Sequence, residues 1–174
     1  MADTISSETK ERMPPNAISC CLVDHANGRT LHQARAVFAK VAANKEDAMV
    51  EKVVHTITMH CRMYNYAMME VVLPLVEGLS EKGGELAKAL KEQLQSCEGC
   101  LATVDAAKKH LDNAEFMEAM TKAKQADSEL MTMAETDILP ALMTEVEMSE
   151  LQEAAERMEA AKIAAPLAPQ AAAA

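Results

Sequence analysis

From residue 17 to residue 162, apolar side chains recur every three or four positions, with few interruptions. That spacing draws one apolar stripe along a helix, whereas strand faces alternate every second residue. Four such stripes can be traced. Pro14-Pro15-Asn16 offers an N-cap, after which helix A is predicted from about 17 to 43. Ile18, Cys21, Leu22 and His25 share its inner face, continued by Leu31, Ala34, Phe38 and Val41, and Gly28 weakens its middle. Asn44 and Asp47 mark the start of helix B, from about 45 to 80, with Val50, Val53, Ile57, His60, Tyr64, Met68, Val71 and Leu75 in its stripe. Gly83-Gly84 forms the clearest break. Helix C, from about 85 to 110, turns Leu86, Leu90, Leu94, Cys97, Leu101 and Val104 inward. Leu111-Asp112-Asn113 is a short turn, and helix D is predicted from about 114 to 162. Long amphipathic helices on short connections pack antiparallel. The expectation is therefore an all-α, up-down-up-down four-helix bundle over residues 17–162, made of two tandem helical hairpins. A flexible arm, residues 1–16, precedes it, and a disordered Ala/Pro tail, residues 163–174, follows.

With aromatics at 2 % and no Trp, the core must be filled by Ala, Leu, Val and the 14 Met. A net charge of −10 opposes binding to nucleic acid or an anionic membrane, both of which attract basic surfaces. No apolar run approaches the ~18 residues of a spanning helix. Asp3, Glu8 and Glu11 make the first dozen residues unlike a secretory or transit leader. An odd set of cysteines, Cys20, Cys21, Cys61, Cys97 and Cys100, reads as reduced thiols in the cytoplasm.

Helices B and D carry matching prolines. One segment reads Glu70-Val71-Val72-Leu73-Pro74 and the other Glu135-Thr136-Asp137-Ile138-Leu139-Pro140, 66 residues apart. A proline inside a helical pattern removes a hydrogen bond and bends the helix, so two equivalent kinks are predicted. Together with Asp24-His25 on helix A, these segments resemble the hemerythrin-like (HHE cation-binding) domain over residues 17–162. The resemblance implies a pair of irons inside the bundle, held by His and carboxylate side chains. On helices B and D the family places a His ten residues before the proline and a carboxylate six before. Those positions here are Tyr64 and Met68, and Leu130 and Ala134. Helix C has no His between Cys61 and Lys109, and only His25 matches. The resemblance thus implies a degenerate member, with His25, Tyr64, Met68, Leu130 and Ala134 marking the former ligand region and no cofactor bound.

His25 and Tyr64 are expected to face the interior and hydrogen-bond across the former metal space. A residual metal site of His25, His60 and Tyr64, with iron as the cofactor, is the alternative. His32 lies two turns from His25 on the same face, while His55 and His110 read as surface residues. Cys97-Glu98-Gly99-Cys100 lies inside a helix, away from any strand, and reads as inert core thiols. The Met-rich stripe, including Met59, Met63, Met69, Met117, Met120, Met131 and Met133, reads as core filling. There is no phosphate loop and no Ser/His/Asp arrangement, so no enzyme is expected. The function expected is a structural or protein-interaction module with a protein partner or a larger assembly. The alternative is a metal (iron) or O2/NO-binding protein with a reduced, non-standard site.

Overall fold

The computed structural model describes residues 15–43, 47–80, 82–107 and 114–166, without the side chains of residues 34–43 and 47–49. Asn44, His110, the Leu111-Asp112-Asn113 turn, the arm before residue 15 and the tail after residue 166 lie outside the described residues, as do the side chains of Ala34, Phe38 and Val41. Among the described residues the fold is all-α, with no strand.

The helices are α1 (Ala17–Ala43), α2 (Asp47–Ala67), α3 (Leu73–Glu77), α4 (Gly83–Ala107), α5 (Ala114–Met133), α6 (Leu139–Glu145) and α7 (Met148–Ala164). A π-helical segment, Met68–Val72, joins α2 to α3, and another, Ala134–Ile138, joins α5 to α6. They stand where the two kinks are predicted, at the same 66-residue offset. Pro74 and Pro140 have no N–H to donate, and each ring crowds the carbonyl four residues earlier. A wider turn just before the proline relieves both problems. The Leu73 N–H reaches back to the Met68 carbonyl, and the Leu139 N–H to that of Ala134.

The start of α1 follows the expected cap. Asn16 Oδ1 accepts from the Ser19 N–H at 3.0 Å, and Ser19 Oγ accepts from the Asn16 N–H at 3.0 Å. The glycine pair behaves differently from its reading as a break, because Gly83 and Gly84 are the first residues of α4. A Cβ at Gly83 would lie 2.6 Å from the Val76 carbonyl oxygen, so only glycine lets the chain turn so tightly off α3.

Helices α1 and α2 run antiparallel, with His25 facing Tyr64 and Cys21 facing Met68. Helix α1 also runs against α5, where His32 meets Asp127 and Gly28 meets the end of Met131. Gln93 of α4 donates to the Ala126 carbonyl of α5 at 3.0 Å. Arg62 ties α2 to Asp105 on α4.

The reading of 114–162 as a single fourth helix is corrected. The rod stops at Glu145, Val146 and Glu147 are extended, and α7 turns back against α1 and α2. A straight continuation through 17 more residues would project ~25 Å beyond the preceding turn. Leu151, Ala154, Ala155 and Met158 would then be wet, whereas in the folded-back helix all four are buried. Because α7 runs on to Ala164, the predicted tail boundary at residue 163 falls inside a helix.

The core forms two apolar clusters. Tyr64, Met68, Val72, Leu90, Leu130 and Ile138 belong to one, and Val50, Ile57, Leu101, Val104, Phe116 and Met120 to the other. Their boundary falls between Cys61 and Tyr64 on α2 and between Ala123 and Ala126 on α5. Near it stand the buried polar side chains His25, His32 and Asp127.

Candidate functional site

His25, fully buried on α1, is held from both sides. Its Nε2 lies 2.6 Å from the Tyr64 hydroxyl of α2, and its Nδ1 lies 2.8 Å from Glu135 Oε1 in the second π-helical segment. Arg29, one turn along α1, donates to both oxygens of Glu135 at 2.7 and 2.8 Å. The expected His25–Tyr64 hydrogen bond is therefore present, within a longer chain running from Arg29 through Glu135 and His25 to Tyr64.

The partners fix the proton positions. Burial lowers the His25 pKa, and the hydrogen bond and charge of Glu135 oppose this without overcoming it. A neutral His25 donates from Nδ1 to the carboxylate, so Nε2 accepts the Tyr64 hydroxyl. Burial also raises Glu135, but hydrogen bonds from His25 and Arg29 outweigh it and hold the carboxyl below its usual range. Burial pushes the Tyr64 phenol well above the ordinary value. Tyr64 is thus a buried hydrogen-bond donor and not an activated nucleophile.

The remaining positions of the expected ligand region are apolar and closed. Met68, Leu130 and Ala134 have no exposed surface. Met68 sulfur packs 3.8 Å from the Cys21 sulfur. Two irons do not fit this donor set: both nitrogens of His25 are taken, and Leu130 and Ala134 offer no ligating atom. His60 makes no hydrogen bond to His25 or Tyr64. Its Nε2 is buried without a hydrogen-bond partner, and its Cε1 faces Gly28. The trio His25, His60 and Tyr64 is accordingly joined only through its first and last members.

The other singled-out residues divide between core and surface. Cys97 is buried and its thiol is raised by burial, as are Cys61 and Cys21, the last to about 12. Burial thus keeps these thiols protonated in the metal-free protein, where they are poor nucleophiles. Glu98, inside the Cys-x-x-Cys, faces Arg62 at 3.5 Å. His55 is exposed, and none of the stripe methionines is. Leu22, expected inside, is 47 % exposed, because Cys21 and His25 take the inward face of α1.

Sequence reasoning placed His25 and Tyr64 but missed Arg29, Asp127 and Lys162. Arg29 lies one turn from His25, a spacing that puts both on one face and was available as a signal. Lys162 Nζ lies 2.7 Å from Asp24 Oδ2 and pins α7 to α1. No local signal announces that pair, since its partners are 138 positions apart and the fold-back of α7 brings them together. Comparison with protein-family models, with curated proteins and with solved structures finds no match.

Proposed function

We propose that the chain is a degenerate hemerythrin-like bundle without a working di-iron site, acting as a structural or protein-interaction module. The reading rests on one observation: the interior positions where iron ligands are expected hold closed packing around Met68, Leu130 and Ala134. A ligand carrier needs an open interior, and a packed one favours a role for the outer faces. Apolar side chains do stand on those faces. Leu22 and Val23 project from α1, and Met148 and Ile163 from the two ends of α7.

Ferrous iron added under air to the metal-free protein tests the proposal, with elemental analysis and absorption read together. The expected result is no stoichiometric iron pair and no charge-transfer bands from bridged irons. Two irons per chain with such bands would overturn it. For the interaction half, replacing Leu22 and Val23 by Ser is expected to leave stability within about 0.5 kcal/mol and to abolish recovery of a partner.

A further inference from the structure

We propose that His32, Cys61 and Asp127 form a binding site for one divalent metal ion of the zinc type, separate from the His25–Tyr64 pair and independent of the interaction reading. The three come from α1, α2 and α5, and their ligating atoms all lie within 4.8 Å of one another. A tetrahedral zinc with bonds of ~2.0 Å to nitrogen and oxygen and ~2.3 Å to sulfur sets its ligands about 3.3–3.6 Å apart. Small side-chain adjustments on three rigid helices are enough to reach that spacing.

Two further observations point to a ligand. His32 Nε2 lies 2.9 Å from Asp127 Oδ2, and the Cys61 thiol hydrogen-bonds the same carboxyl, so three groups of metal-ligand type converge on one buried point. Asp127 is 3 % exposed and Cys61 5 %, so water does not satisfy that oxygen from outside. A metal would replace the direct His32–Asp127 contact, which opens from 2.9 Å to the ~3.3–3.6 Å spacing of zinc ligands. Secondly, His32, Cys61 and Thr58 border a cavity of about 20 Å³ whose other walls include Ile57, Leu101 and Val104. That is room for one water-sized ligand, which needs ~10–15 Å³. Three protein ligands and one such position make an open zinc-type centre.

The donor set selects the ion. Thiolate and imidazole favour zinc or cobalt over magnesium or calcium, which take oxygen ligands. Binding replaces the Cys61 S–H bond by a sulfur–metal bond, the proton passes to solvent, and nothing is oxidised or reduced.

The test uses the full chain, stripped by a chelator and titrated with zinc chloride in a calorimeter. One zinc per chain is expected, and cobalt in its place should give a thiolate charge-transfer band. Cys61→Ser should remove that band, and Cys61→Ser, His32→Gln and Asp127→Asn should each weaken zinc binding by at least about tenfold. No stoichiometric zinc, or the same affinity in all three variants, would overturn the proposal. Should the variants fail to fold, X-ray absorption of the zinc-loaded natural chain decides the matter: a shell of one sulfur with nitrogen and oxygen supports the site, and any other sulfur count sinks it.

Discussion

The Tyr64 hydroxyl is the donor that satisfies a nitrogen of a fully buried histidine. Tyr64→Phe keeps the ring and its edge-on packing with His25, centroids 5.3 Å apart, and removes only the hydrogen bond. The bare Nε2 should cost about 1–3 kcal/mol, read as a lower denaturant midpoint at unchanged slope. An unchanged midpoint would mean the contact contributes nothing. A pH dependence follows from the same chain. With its folded pKa below the unfolded value, His25 lets the unfolded state take up a proton first, so stability falls as pH drops through ~6.5. Glu135, held low in the fold, adds stability above the ordinary carboxylate range that is lost as pH falls through its folded value. Melting of metal-free protein should therefore move downward between about pH 7.5 and 5.5, and His25→Gln should flatten part of that slope. His60, also lowered by burial, carries some of the remainder. His25 and Tyr64 were legible because each sits in an apolar stripe at helical spacing. Asp127 was not, since a lone carboxylate beside Ala126 carries no periodic mark until α1 and α2 close over it.

Along the helices, proline and glycine carry the information that side-chain periodicity lacks. Pro74 and Pro140 mark interruptions of the α-helix, and the π-helical turns before them are how the backbone accommodates each ring. The second turn also carries Glu135, so the π-helical segment that precedes Pro140 is the one that reaches His25. The glycines separate by environment, which no sequence pattern reveals. Gly99 lies inside α4 with open space where its Cβ would be, whereas Gly83 faces the backbone of α3. Gly99→Ala should stabilise by about 0.5–1 kcal/mol. Gly83→Ala should destabilise despite the same gain in helix propensity, because a carbonyl oxygen cannot yield as a side-chain tip can. Thermal melting of the two variants checks the contrast, and equal shifts would refute it.

Taken as a molecule, the bundle depends on α7, the helix that periodicity alone assigned to the wrong rod. Its buried stripe is out of phase with that of α6, since the nine residues from Leu142 to Leu151 are about two and a half helical turns, and that phase break is the mark the pattern leaves of the reversal at Val146 and Glu147. The reversal is decided by what the rest of the chain leaves uncovered: α1 and α2 present a shared groove, and only folding back lets Leu151 and Met158 fill it. The ends of that packing are tied by polar contacts. Ser80 donates to Glu145 from its backbone N–H and its hydroxyl at 2.8 and 2.7 Å, holding the end of α6 to the loop before α4. Lys162 holds the far end of α7 to Asp24. Leu151 is 1 % exposed and Met158 fully buried, so replacing either by Ala should cost about 2–5 kcal/mol. Because α7 covers the helices that carry His25 and Tyr64, the loss should be global, with amide protons of α1 and α2 exchanging as fast as those of α7 in the variants. Hydrogen exchange distinguishes this from a peripheral role: fast exchange confined to α7, with α1 and α2 still protected, would make it an appendage and not the covering layer of the core.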